Sequence, residues 1–255
     1  MDDNGRDLSW YKNNAFESSK SYHVLGYYND FYGAYWHDDD FGSVHHSAYD
    51  EKLGMKIFLW SQARDGTIWE DLLTDTDSQY VELQSGRMYN QPATNSARTP
   101  FKHTAFQPGA TDEWTEYWFP VKETKGIVQA SHIGALNVLK DNNRLTLYFS
   151  PTQELSVTLK VYSDEKEIIS ELLQTKTLQI WCKSYPLDTQ SATGKIKVVI
   201  GNNDLVYSEQ NSDKVINRPK EIPDDFDWNS VYGLYTSGEQ WMNQKMYDKA
   251  EADLL

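Results

Sequence analysis

Cysteine is almost absent from this chain: Cys182 is the only one in 255 residues. That excludes an internal disulfide framework and any metal centre built on clustered thiolates. Basic residues are the second scarcity, with 24 Lys and Arg against 38 Asp and Glu and a net charge of −14. No Lys/Arg cluster interrupts the acidic excess, so nucleic-acid phosphates and anionic membrane surfaces are both unfavourable partners. No stretch approaches the ~18 apolar residues a membrane span requires. Met1 runs straight into Asp2-Asp3-Asn4-Gly5, without the basic and apolar regions of a secretion signal. Because the chain reads as starting inside a domain, its compartment stays open.

What the chain has in quantity is aromatic surface. Aromatic residues make up 14% of it, with nine Trp and seventeen Tyr. Each carries an apolar face and a polar handle, which suits sheet packing and stacking on sugar rings alike. Hydrophobic residues at 39% and charged residues at 24% describe an ordinary globular composition.

The pattern is mainly β. Ser21–Tyr28 and Phe31–Trp36 read as strands of a hairpin around Asn29-Asp30. Lys56–Trp60 follows, then a turn at Arg64-Asp65-Gly66 and a short strand, Thr67–Trp69. In Tyr80–Gln84, Val81 and Leu83 point one way and Tyr80, Glu82 and Gln84 the other. Glu113–Phe119 alternates likewise, placing Trp114, Glu116 and Trp118 on one face. Beyond Gly126, Arg144–Phe149, Ser156–Tyr162, Thr177–Trp181 and Lys195–Ile200 read as strands of a smaller sandwich. Asp141-Asn142-Asn143, Ser163-Asp164 and Gly201-Asn202-Asn203 supply its turns.

After a polar linker holding Pro219 and Pro223 the period changes to that of two short helices joined near Lys245. The expected organisation is a first β-sandwich over 1–125, a small β module over 126–211, a linker over 212–227 and a helical segment over 228–255. Gly238, Trp241, Ala250 and Leu254 stand at tetratricopeptide-repeat spacing, and one such unit cannot bury its own face.

Three long motifs carry a resemblance: "DLSWYKN" from Asp7, "IWEDLLTDTDSQYVELQSGRMYNQ" from Ile68 and "WTEYWFPV" from Trp114. Together they resemble a bacterial family of unknown function in which a galactose-mutarotase-like β-supersandwich precedes tetratricopeptide repeats. The resemblance implies that this chain holds the C-terminal part of the supersandwich and the first repeat, cut at both ends. A more distant similarity is to the aldose 1-epimerases, which keep a Glu-x-Gln on a strand, then Pro and Asn, then a Pro-Gly turn. Glu82-Leu83-Gln84, Pro92, Asn95 and Pro108-Gly109 fit that order, so the similarity implies a general base at Glu82. The Asp that usually follows the Pro is Ala93 here.

Four constellations are candidates for chemistry. Around Glu82 stand Trp60, Arg64, Trp69, Tyr80, Gln84 and Arg87, a set suited to contacting a sugar. A glutamate on the polar face of a strand serves as base, sugar contact or solvated sheet residue, and all three readings stay open. His45 and His46, near His37-Asp38-Asp39-Asp40, are candidate acids or sugar contacts. The three aspartates do not follow calcium-loop spacing, and the reading includes no metal and no cofactor. Trp114, Glu116 and Trp118 form a third set, with rings to stack and a carboxylate to accept hydroxyls. Asp71, Asp75 and Asp77 are the fourth, since glycoside cleavage needs paired carboxylates.

The functional expectation is a carbohydrate-binding or carbohydrate-processing protein, with a saccharide ligand on the sandwich and a protein partner on the repeats. The activities it leaves open are anomer interconversion and glycoside cleavage. The competing expectation is a non-catalytic scaffold whose sandwich is structural.

Overall fold

A computed structural model of the chain describes residues 5–16, 19–24, 26–52, 54–60, 64–75, 80–86, 108–141, 143–210, 212–216, 225–243 and 247–255. Strands β1 (Ser19–His23), β2 (Phe31–Trp36), β3 (Phe41–His46), β4 (Gly54–Trp60), β5 (Val81–Gly86) and β6 (Tyr117–Lys122) come first. Then follow β7 (Gln129–Ser131), β8 (Gly134–Asp141), β9 (Arg144–Pro151) and β10 (Leu155–Ser163). The last strands are β11 (Lys166–Thr175), β12 (Trp181–Pro186), β13 (Ile196–Ile200) and β14 (Leu205–Ser208). The helices are α1 (Arg64–Leu73), α2 (Thr189–Thr193), α3 (Val231–Asn243) and α4 (Tyr247–Leu254). The fold is mainly β, and its recorded strand pairs are antiparallel. Among the described residues no helix is long and apolar enough to cross a membrane.

The chain separates into two compact units, one of Met1–His23, Lys56–Gln84 and Arg218–Leu255, the other of Val24–Met55 and Ser85–Asn217. In the first, β4 lies between β1 and β5. Asn14, 1% exposed, donates its amide to the carbonyls of Leu8, Trp10 and Tyr11 and accepts from the Tyr22 hydroxyl. The Tyr11 hydroxyl donates to the Trp60 carbonyl at 2.9 Å. Helices α3 and α4 pack at Gly238, where a Cβ would stand 2.4 Å from the Leu254 side chain, and at buried Ala250.

The second unit holds two four-stranded sheets, ordered β12-β9-β8-β7 and β11-β10-β13-β14, and a three-stranded sheet, β2-β3-β6. The four-stranded sheets share one core. Leu136, Leu145, Leu147 and Phe149 come from one, Leu159, Val161, Leu173, Ile196, Val198 and Ile200 from the other. Alternation along β9 and β13 puts every second residue into that core. Each fully buried Leu, Ile or Phe contributes about 1.5–3 kcal/mol relative to exposure. Together the sheets form a β-sandwich. Turn residues follow their chemistry: Asp164 (φ 52°) and Asn203 (φ 69°) tolerate left-handed backbone.

Four local expectations change. Ser21–Tyr28 and Phe31–Trp36 do not form a hairpin; β1 pairs with β4 and β2 with β3. Strand β1 ends at His23, and beyond it Tyr28 N donates to Lys214 O while Ile216 N donates to Gly26 O. The tight turn lies instead at His37–Asp40, where three aspartates supply turn chemistry and Asp40 takes φ 51°. Thr67–Trp69 is helical, inside α1. Ile68/Leu72 and Trp69/Leu73 stand at i,i+4 spacing, a period invisible in a three-residue window. Thr177–Gln179 form a turn, and β12 begins only at Trp181. Of Glu113–Phe119, only the end from Tyr117 is strand.

Candidate functional site

Strand register sorts the β2-β3-β6 sheet into two faces. Tyr32, His45 and Trp118 stand abreast on one, followed by Ala34, Ser43 and Pro120, then by Trp36, Phe41 and Lys122. The other face carries Val44 and Val121, buried with Phe31, Tyr35, Phe119 and Ile127. Pro120 is accommodated because β6 is an edge strand. This alternation sends the two candidate histidines apart. His45 lies on the aromatic face, whereas His46 points to the other, its ring 5.9 Å from Tyr117 and 6.5 Å from His132.

Glu116, two residues before Trp118, organises the aromatic face. One carboxylate oxygen accepts the indole N–H of Trp114; the other accepts that of Trp118 at 2.9 Å and lies 3.3 Å from His45 Nε2. Tyr32 and Trp118 pack against the His45 ring, with centroids 4.7 and 4.5 Å away. Burial acts to raise the Glu116 pKa, but hydrogen bonds from Trp114, Trp118 and Ser85 and the Lys52 charge outweigh it, leaving the group at about 2. His45 is wholly buried; burial and then Lys52 push its pKa down, against Glu116, to about 4.

At neutral pH the pair is therefore a carboxylate and an uncharged imidazole. In that state His45 donates Nε2–H to Glu116, and Nδ1 carries the lone pair. His45 Nδ1 and the ammonium of Lys52, a residue 1% exposed, have no hydrogen-bond partner among the described residues. Burial pushes the Lys52 pKa down and Glu116 opposes it. A carboxylate offers about four acceptor positions, and two indoles, His45 and Ser85 meet them here. Glu116 is thus poorly suited to take a proton but well suited to fix two indole rings, one of which, Trp118, remains 48% exposed.

In the first unit, Tyr80, Glu82 and Gln84 share one face of their segment. The Tyr80 hydroxyl donates to Glu82 at 2.9 Å, and the Gln84 amide donates to its second oxygen. Burial lowers the pKa of Lys56, and Glu82 opposes it. His23, opposite Lys56 across the β1–β4 pair, is pushed down to about 4 by burial and then by Lys56. Trp60 stacks on Trp69, with centroids 5.7 Å apart and planes at 25°. Arg64 opens α1 and Asp71 lies within it, with Asp75 just beyond. Arg87, Asp77, Pro92, Asn95, Pro219, Pro223 and Lys245 lie outside the described residues.

The first unit thus brings together Tyr80, Glu82 and Gln84, and separately Trp60 and Trp69. The second brings together Trp114, Glu116, Trp118 and His45. Sequence reasoning missed Tyr32, Lys52 and Ser85. Tyr32 is marked only by its alternation within β2, and nothing local marks Lys52 or Ser85. Among the described residues no group of three His, Cys, Asp or Glu side chains converges as a metal site would.

Comparison with known proteins adds a family without assigning a chemistry. Residues 1–121 match a family described as a domain of unknown function (DUF5107). No solved structure matches the chain.

Proposed function

We propose that this chain is a carbohydrate-recognition module, with the saccharide stacking on the aromatic face of β2-β3-β6. The observation that carries the reading is the double indole clamp. Glu116 holds Trp114 and Trp118 by their N–H groups while Trp118 keeps 48% of its surface open. Rings fixed before binding lose little entropy when a pyranose stacks on them. Phe41, 44% exposed in the same sheet, extends the apolar surface.

The motif resemblance supports placing these strands in a galactose-mutarotase-like supersandwich. The close approach at Gly238 and the burial of Ala250 support reading α3 and α4 as a tetratricopeptide-type unit that meets a protein partner. A processing activity would instead use a site within the first unit, with Glu82 as base beside Tyr80 and Gln84. Glu82→Gln would then lower turnover about 10²–10⁴-fold while leaving binding in place.

The test is a glycan array with the full chain, followed by calorimetry on whatever binds. Trp118→Ala is expected to weaken the best ligand about tenfold or more. Absence of any saccharide ligand, or a Trp118→Ala variant that binds as the parent does, would overturn the proposal in favour of a structural scaffold.

A further inference from the structure

The β-sandwich carries a groove of its own, of about 550 Å³, within the ~300–1,000 Å³ range of small-molecule sites. It lies at the open end of the β10–β11 hairpin, where Leu155 pairs with Thr175 and Ser156 with Gln174. The loop leading to β12 forms its lip. That loop is pinned: Leu178 N donates to Pro151 O at 2.9 Å, and Gln179 N to Lys176 O at 3.0 Å. Leu178 takes φ 58° while 52% exposed. Left-handed backbone is uncommon for a bulky residue, and residues held there cluster at ligand clamps and other functional sites.

Trp181, Ile180 and Leu155, all half-buried, give the groove an apolar surface. The exposed amide side chains of Gln174 and Gln179 also line it. Amides both donate and accept, which matches hydroxyls better than ions. The lining carries one acid, Glu154, and one base, Lys176, so it favours neither an anion nor a cation.

From this we infer that the groove is a second saccharide site, for a short, neutral oligosaccharide lying across Trp181 with its hydroxyls on Gln174 and Gln179. It shares no residue with the Trp118 face and stands whether or not that face binds sugar.

The test is a ¹⁵N NMR titration of the full chain with neutral oligosaccharides (maltohexaose, cellohexaose, xylohexaose, laminarihexaose, mannohexaose) and with oligogalacturonate as the charged control. At least one neutral probe is expected to shift the Trp181 indole and Gln179 amide resonances. Trp181→Ala and the exposed double variant Gln174→Ala/Gln179→Ala should each weaken that probe about tenfold or more, with Trp118→Ala leaving it unchanged. The double variant decides the matter if Trp181→Ala disturbs the core. The inference is overturned if no neutral probe shifts these resonances, if oligogalacturonate alone does, if the double variant binds normally, or if Trp118→Ala abolishes the shifts. Shifts that survive at Trp181 with no ligand effect at Trp118 would retain the groove and remove the proposed function of the aromatic face.

Discussion

Acidification from pH 7 to 4 should cost the parent chain about 3 kcal/mol more than it costs a His45→Gln variant. The imidazole is wholly buried, and its pKa stands near 4 rather than at the ordinary 6.5. Between those values the unfolded chain binds a proton that the native chain refuses, so stability rises with pH across the window and is lost as pH falls through it. Each unit is worth about 1.4 kcal/mol, and the loss levels off below pH 4. Gln is the informative replacement because its amide still donates to Glu116 but does not titrate. Glu116, ordinarily at 4.5 and here near 2, loses its contribution mostly below pH 4, in both proteins. His23 follows the same direction as His45 and cancels in the comparison. Urea unfolding at pH 7, 6, 5 and 4, followed by tryptophan fluorescence, measures the difference, and a histidine NMR titration reads the pKa directly. Parallel stability curves for the two proteins, or a His45 titration near 6.5, would refute the reasoning.

Two further outcomes test the packing. Gly134 sits at φ 147° with a Cβ position 2.4 Å from Ser150 O and 2.9 Å from the buried Phe149 ring, so Gly134→Ala should cost about 2–4 kcal/mol; an unchanged melting temperature would contradict this. Gly238→Leu should drive α3 and α4 apart, since a Cβ there already meets the Leu254 side chain at 2.4 Å. Hydrogen exchange should then accelerate in those helices and not in the β-sandwich, and equal protection in parent and variant would show that the contact does not hold the pair.

What the sequence made legible was local. Alternation in Arg144–Phe149 and Lys195–Ile200 located β9 and β13, because a half-buried strand writes its period into two or three turns of the pleat. Trp114, Glu116 and Trp118 do meet, through both indole N–H groups on Glu116, although Trp114 and Glu116 precede the strand that alternation predicted for them. Partner choice was not legible. β1 pairs with β4 across a stretch of chain that holds β2 and β3, and no residue in either announces the other. Helix α1 was hidden by Asp65-Gly66, a strong turn signal that here sits inside the first helical turn. The site suffered in the same way: His45 and Glu116 stand 71 positions apart and meet only because β3 and β6 are neighbours.

The divergence of His45 and His46 shows how far one strand's pleat decides function. Adjacent in sequence, they carry the same chemistry, and composition gives no ground to prefer either. Register places His45 beside Tyr32 and Trp118, in a row whose outer ring is open, and places His46 on the side that packs Val44 and Val121. A one-residue slip of β3 would exchange them and put Val44 beneath Trp118. The sheet resists that slip because Val44 would leave the core it shares with Val121, losing about 1.5–3 kcal/mol, while the neutral imidazole would lose its acceptor at Glu116. The polar cluster and the apolar core thus fix the same register from opposite faces. It is that shared constraint, rather than any motif around the histidines, that presents one of them to the aromatic surface.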